Sequence, residues 1–374
     1  MKPFHSPFDS PNAINYISDV LTSGNTAGGG KYYNFLAQYF FKKFSRSSYF
    51  TTSCTSAMEL LALTMNIQKG DEVILPTYTF PSTANAFALR GAKLVFVDSQ
   101  IDHPNIDLDK LKDCITPKTR LIIPMYYGGV SLDWDVLNDI RTTFGVPILE
   151  EAAHAFGAFH VKDNSSIPLG KLGDYAVFSF HETKNISCGE GGLLLVSEEK
   201  YEDSMSLAFE KGTNKREYLE KNLDFYEWRS LGSSFVGSEL NAAYLLAQLE
   251  QYEAELIKRL ERWRELYVGL SEISTDRWSL PIIPEFAQHN AHIFYLRFSK
   301  MNDRISFEKW MLQNEIPVSG HYRCLHSSYF GSLTKQKGSF ENAISFQDGL
   351  CRITMNSEID TSLIIDVINE YNKL

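Results

Sequence analysis

Four short segments carry residues whose types and spacing could do chemistry. The segment SFHETKNISCGEGG, Ser179 to Gly192, follows an apolar run and holds a hydroxyl, Ser179, an amine, Lys184, and three closing glycines. A lysine attacks a carbonyl only as the free amine, so a reactive one needs surroundings that lower its pKa or an aldehyde partner that does the same. A loop at a strand end supplies such surroundings, and glycines let the backbone approach a planar ring closely. For a single lysine, a solvated surface charge is the plain alternative.

The segment TTSCTSAMELL, Thr51 to Leu61, reads as a turn feeding a helix with hydroxyls at its start. Exposed N–H groups and the positive end of the helix dipole favour a phosphate there, although an ordinary Ser/Thr cap has the same appearance. The segment PILEEAAHAFGA, Pro147 to Ala158, ends a strand in Glu150 and Glu151, with His154 close behind. A carboxylate beside a pyridine nitrogen keeps that nitrogen protonated and makes the ring an electron sink; the same pair could also be helix N-terminal charges. No second His or Cys stands at ligand spacing near His154, so no metal is expected. Beyond a further strand, in Pro76 to Asp98, Phe80 could stack on a flat cofactor or simply fill core.

Positioning these segments requires a scaffold, and the hydrophobic runs predict one. Glu72 to Leu75, Leu94 to Asp98, Leu121 to Met125, Pro147 to Glu150, Tyr175 to Phe180 and Gly192 to Val196 are nearly continuous apolar stretches between helix-like segments. Such runs belong to strands covered on both faces, which predicts an α/β fold with a doubly wound, mainly parallel sheet. Ligands then sit beyond the carboxyl ends of strands, where the four segments fall. Leu249, Tyr252, Leu256, Leu260, Trp263, Tyr267 and Leu270, spaced by three and four, predict a long amphipathic helix starting near Ser238. Ile293 to Phe298 and Ile305 to Gln313 then predict a smaller C-terminal α+β domain, with residues 1–250 forming the large domain and 251–374 the small one.

Composition narrows the class. The chain has 374 residues, 44% hydrophobic and 22% charged, as in globular proteins. A formal charge of −10 and a pI near 5.5 argue against nucleic acid or an anionic membrane as partner. Five cysteines (Cys54, Cys114, Cys188, Cys324, Cys351) without a CxxC pair indicate neither a disulfide framework nor zinc, and point to a reducing cytoplasm. The polar N-terminal stretch lacks a signal-peptide pattern, and no apolar run approaches the roughly 20 residues that span a bilayer.

In this order and spacing the segments resemble the DegT/DnrJ/EryC1/StrS family of sugar aminotransferases along nearly the whole chain. The resemblance is closest to the branch that makes dTDP-4-amino-4,6-dideoxygalactose, through GDEVILPTYTFPSTANAFALRGAKLVFVD, SFHETKNISCGEGG, EKGTNK (Glu210 to Lys215) and GSSFVGSELNAAYLLAQLE (Gly232 to Glu250). It implies the type I pyridoxal 5′-phosphate (PLP) transferase fold, similar to aspartate aminotransferase. It implies that Lys184 carries the cofactor as a Schiff base, that Ser179, Thr55 and Ser56 hold its phosphate, that Phe80 stacks on its ring, and that His154 lies near the ring 3-hydroxyl. Ser234 would reach the phosphate of the neighbouring subunit in a homodimer with shared sites. Glu151 stands where the family has aspartate, so its extra methylene could displace the carboxylate on the ring nitrogen. In HYRCLH, His321 to His326, Cys324 replaces a proline; His326 would contact substrate, and Gly28, Gly29 and Gly30 would lie in a loop over the site.

The activity so implied is transfer of an amino group from L-glutamate to C4 of dTDP-4-dehydro-6-deoxy-D-glucose, in surface-polysaccharide (lipopolysaccharide or O-antigen) biosynthesis. A different sugar nucleotide or carbon, and a non-catalytic binding homologue, are the competing readings. Dehydrating relatives have histidine at the Schiff-base position, where this chain has Lys184. No GxGxxG follows an early strand, which disfavours a nicotinamide dehydrogenase.

Overall fold

The computed structural model describes residues 2–197, 202–221, 223–334 and 338–373. Its strands, in chain order, are β1 (Ser47–Thr51), β2 (Glu72–Pro76), β3 (Lys93–Val97), β4 (Thr119–Ile122), β5 (Leu149–Glu151), β6 (Phe159–Lys162), β7 (Ser165–Pro168), β8 (Tyr175–Ser179), β9 (Gly192–Val196), β10 (Trp278–Ser279), β11 (Ala287–Gln288), β12 (Phe294–Phe298), β13 (Val318–Ser319) and β14 (Leu350–Ile353). The ladders β3-β2-β4 and β5-β8-β9-β1 join through the parallel bridges Ile122↔Ile148 and Met125↔Glu151, giving one seven-stranded sheet. Only β9 runs against its neighbours.

Both faces of this sheet are covered, which is why its strands read as continuous apolar runs. Ile74, Phe178, Leu193 and Leu195 enter one core, while Val73, Leu75, Val177 and Leu194 enter another on the opposite face. A 33-residue helix, Glu239–Ser271, begins at Ser238, whose hydroxyl accepts the Asn241 N–H at 3.2 Å. Its Leu249 and Tyr252 pack into the large core, and its Trp263, Leu266 and Leu270 into a third core under the antiparallel sheet β10-β12-β14-β13.

Two features escaped the sequence reading. β1 (SSYFT) has only two apolar residues, too few to stand out as a run, yet it pairs along its whole length with β9. The hairpin β6–β7 is largely polar; its turn at Asp163 and Asn164, with φ of 50° and 61°, is the conformation such residues favour. β4 also stops at Ile122, short of the expected Met125, which is held by its bridge to Glu151.

Alternation along β5 sends its two glutamates to opposite faces. Glu150 is fully buried and belongs to the scaffold: its carboxylate accepts the Tyr126 hydroxyl (2.7 Å) and the N–H groups of Gly170 (2.6 Å), Leu172 (2.7 Å) and Gly173 (2.6 Å). Arg46 stands 3.9 Å away. Burial pushes the Glu150 pKa up, against the pull of Arg46 and these donors. Replacement of Glu150 by alanine leaves these donors unsatisfied and is expected to cost about 3 kcal/mol. A thermal midpoint unchanged from wild type would contradict that structural role.

Candidate active site

The carboxyl ends of the parallel strands open into a cavity of about 1000 Å³, closed on its far side by Ile293, Val318 and Arg352 of the small-sheet region. Thr55, Phe80, Glu151, His154, Ser179 and Lys184, brought from four separate segments, all line it. Phe80 keeps 56% of its surface exposed, so core packing does not account for it. Ser56 adjoins the cavity without lining it: its hydroxyl lies 2.8 Å from Thr52 Oγ1 and 2.9 Å from Ser53 Oγ.

One end of the cavity suits a phosphate. Helix Cys54–Thr64 points its N-terminus there, capped by Ser53, whose hydroxyl accepts the Ser56 N–H at 3.0 Å. Thr55 and Ser179 add hydroxyls, and Thr55 donates to Ser82 at 2.8 Å. Gly192 allows this closeness, because a Cβ there would collide with the Ser53 carbonyl and the Cys54 amide.

The middle of the cavity holds two groups of opposite charge. Glu151 is 3% exposed, and its Oε1 accepts the Ala153 N–H at 2.9 Å, so the side chain folds back on its own turn. Burial raises its pKa; the Lys184 charge opposes that rise. Protein encloses Lys184 on all but its cavity side, and this desolvation lowers the amine's pKa, with Glu151 pulling it back up. The site therefore holds a lysine eased toward its nucleophilic form and a carboxylate suited to a cationic ring nitrogen. That set fits PLP.

Beside them stand the expected His154 and two side chains to which the motif reading gave no role, Tyr322 and His321. His154 is buried; its Nδ1 accepts the Gly128 N–H (3.4 Å), which leaves Nε2 to carry the proton toward the Tyr322 hydroxyl at 3.1 Å. Burial and the nearby Lys184 hold its pKa well below the usual range, so the ring is neutral. Tyr322 stacks on His321 at 3.7 Å, and His321 Nδ1 meets the Tyr127 hydroxyl at 2.7 Å. HYRCLH was noticed for His326, yet its first two residues are the ones in the cavity wall. His326 packs outside it, with Nδ1 2.7 Å from Thr77 Oγ1 and its ring 4.1 Å from Phe340.

Gly28, Gly29, Gly30 and Ser234 also lie outside the lining. A Cβ on Gly28 would strike Gly237 and Val236, and the Gly30 N–H donates to Glu239 at 2.9 Å, so this loop packs against the segment that holds Ser234. Ser234 itself is exposed and bridges to Glu210.

The chain belongs to the DegT/DnrJ/EryC1/StrS aminotransferase family, which matches residues 8–372. An uncharacterised protein of Methanocaldococcus jannaschii, MJ1066, is 28% identical, covering 100% of this chain and 97% of the relative. The spore coat polysaccharide biosynthesis protein SpsC of Bacillus subtilis is 27% identical over 98% of this chain and 95% of its own length. Among solved structures, Spr1654 of Streptococcus pneumoniae superposes with a TM-score of 0.90 in its PMP form, at 22% identity, covering 100% of this chain and 99% of that one. Its PLP form gives 0.88. The fold is the type I PLP-transferase fold, and the protein is a PLP-dependent aminotransferase.

The charge pairing has a measurable consequence in the apoprotein. Glu151 stabilises protonated Lys184, so Glu151→Gln should move the midpoint for chemical labelling of the Lys184 amine to lower pH. A midpoint that stays put or rises would show that the two groups do not interact.

Proposed function

We propose that the protein transfers an amino group from L-glutamate to C4 of dTDP-4-dehydro-6-deoxy-D-glucose, forming dTDP-4-amino-4,6-dideoxy-D-galactose for a surface polysaccharide such as an O-antigen. The observation that carries amino transfer is Lys184 facing Glu151 in one cavity, next to a helix N-terminus ringed by hydroxyls. The choice of sugar and carbon rests on the resemblance of Gly70 to Asp98, Ser179 to Gly192, Glu210 to Lys215 and Gly232 to Glu250 to the dideoxygalactose branch.

Bound PLP supplies an aldehyde that takes up the amine and a ring that accepts the electrons of the reacting carbon. Ser179, Thr55 and Ser56 hold its phosphate in this reading, Phe80 covers a ring face, and Glu151 keeps the ring nitrogen protonated. Lys184 Nζ removes the proton from the donor's α-carbon and later delivers one to C4 of the sugar. The neutral His154 Nε2–H and the Tyr322 hydroxyl fix the edge bearing the 3-hydroxyl.

The protein acts as a cytoplasmic homodimer in this proposal, with Ser234 serving the partner's phosphate site and the loop of Gly28, Gly29 and Gly30 covering the sugar-nucleotide site. Support comes from the exposure of Ser234 outside its own cavity and from the exposed apolar Phe225 (70%), Trp228 (75%) and Leu231 (64%) in the same stretch. His326 lies outside the lining, held to Thr77, so contact with the sugar nucleotide is its least supported role in this proposal. We take the domains to meet near Glu250, inside the long helix. No helix among the described residues is long and apolar enough to cross a membrane.

Incubation of the protein with PLP, glutamate and dTDP-4-dehydro-6-deoxy-D-glucose, followed by NMR of the product, tests the proposal. An axial amine on C4 is expected, and Lys184→Ala should slow its formation by about 10³-fold or more. An amine at C3, or an undiminished Lys184→Ala variant, would overturn the assignment.

A further inference from the structure

We propose that the segment Lys2–Phe8 is a working wall of the cavity, and that its Phe4 ring aims the Arg352 guanidinium at the carboxylate of the amino donor. The proposal rests on the amino-transfer reading above for the identity of that donor.

The segment is strapped across both halves of the molecule. Gln248, on the large-core end of the long helix, donates to the Phe8 carbonyl at 3.1 Å. Farther back, Thr354 Oγ1 donates to the Phe4 carbonyl (2.9 Å) and Asn356 Nδ2 to the Pro3 carbonyl (3.0 Å), just after β14 of the small sheet. Lys2, Phe4 and His5 thereby reach the cavity lining, where Arg352 projects from β14.

Arg352 is placed as a receptor with its charge unspent. Its Nε donates to the Gly320 carbonyl at 3.3 Å and its Nη2 to the Ser319 hydroxyl at 3.5 Å, both long contacts to neutral oxygens. Among the described residues no carboxylate lies within ion-pair distance of it, and five N–H donors are not exhausted by two weak bonds. The Phe4 ring lies 5.1 Å from its central carbon. A ring face holds the guanidinium plane without neutralising it or consuming a donor, leaving the fork open toward the cavity.

Elimination among the cationic candidates leads to the same residue. An α-amino acid brings a carboxylate on the very carbon whose amine is transferred, and burying it requires a paired cation. Lys184 is committed to the amine chemistry, and Lys2 donates to the Glu358 carbonyl at an exposed rim. His5, His292 and His321 are held below the usual imidazole range by burial, with Arg352 or Lys184 adding to the effect, so they are neutral. His181 stands 3.5 Å from Glu190. Arg352 remains, with the planar donor geometry that suits a carboxylate.

The test uses the full chain with three substitutions, Phe4→Ala, Arg352→Gln and Arg352→Lys, each checked by circular dichroism for retained fold. Glutarate, a dicarboxylate with no amine to transfer, is titrated by calorimetry with and without PLP, and the glutamate and keto-sugar half-reactions are followed separately. Arg352→Gln should weaken glutarate about 100-fold and Phe4→Ala about tenfold, with Arg352→Lys falling between wild type and Arg352→Gln. The glutamate concentration for half-saturation should rise by the same factors, while the keto-sugar half-reaction changes by no more than about twofold. Unchanged glutarate affinity in Phe4→Ala and Arg352→Gln would overturn the proposal, as would equal weakening of both half-reactions, which would assign Arg352 to the sugar nucleotide. Glutarate held through Arg352 without any aminated sugar would instead contradict the amino-transfer reading and leave the carboxylate site standing.

Discussion

The site depends on one electrostatic constraint: a half-buried amine and a buried carboxylate line the same cavity, and each shifts the other's charge equilibrium. Taking either charge out of water is costly, and opposite charges at close range offset that cost. Glu151 pulls the Lys184 pKa upward while desolvation pulls it down, so the lysine is less basic than a surface lysine yet keeps a partner. A cationic ring nitrogen set against Glu151 would relieve the burial that now raises the carboxylate's pKa.

Strand geometry makes this arrangement possible. Because side chains alternate along β5, one glutamate can anchor the scaffold while its neighbour faces the cavity. Glu150 gathers four donors and ties β5 to the turn around Gly170–Gly173, which fixes the backbone from which Glu151 projects. The parallel sheet then collects distant segments at one edge: β1 leads into the helix at Cys54, β2 toward Phe80, β5 ends at Glu151 and β8 leads to Lys184. Six of the residues singled out by local pattern meet there, although more than a hundred positions separate Thr55 from Lys184.

What was legible follows from what the sequence encodes locally. Strands buried on both faces announce themselves as apolar runs, and the long helix as a three-and-four spacing, so the sheet and helix were readable. β1 was not, because its pairing with β9 rather than its own composition makes it a strand. Lys184, Ser179 and the Glu150–Glu151 pair stand at strand ends, where a parallel sheet gathers ligands, and the family resemblance rather than local chemistry singled out their roles. Tyr322, His292 and Arg352 come from the small-sheet side, and only tertiary packing brings them to the cavity; nothing in the neighbourhoods of His292 and Arg352 marks them. HYRCLH shows the difference within six residues, since adjacent positions place His321 and Tyr322 in the wall and His326 outside it. The fold-back of Glu151 onto the Ala153 N–H is likewise invisible in a linear pattern.

A crystal structure of the protein grown with PLP addresses the central pairing most directly. The account predicts continuous density from Lys184 Nζ to the cofactor, with the pyridine nitrogen about 2.7–3.2 Å from a Glu151 carboxylate oxygen and the phosphate at the start of helix Cys54–Thr64. A cofactor unlinked to Lys184, or a ring whose nitrogen turns away from Glu151, would contradict it.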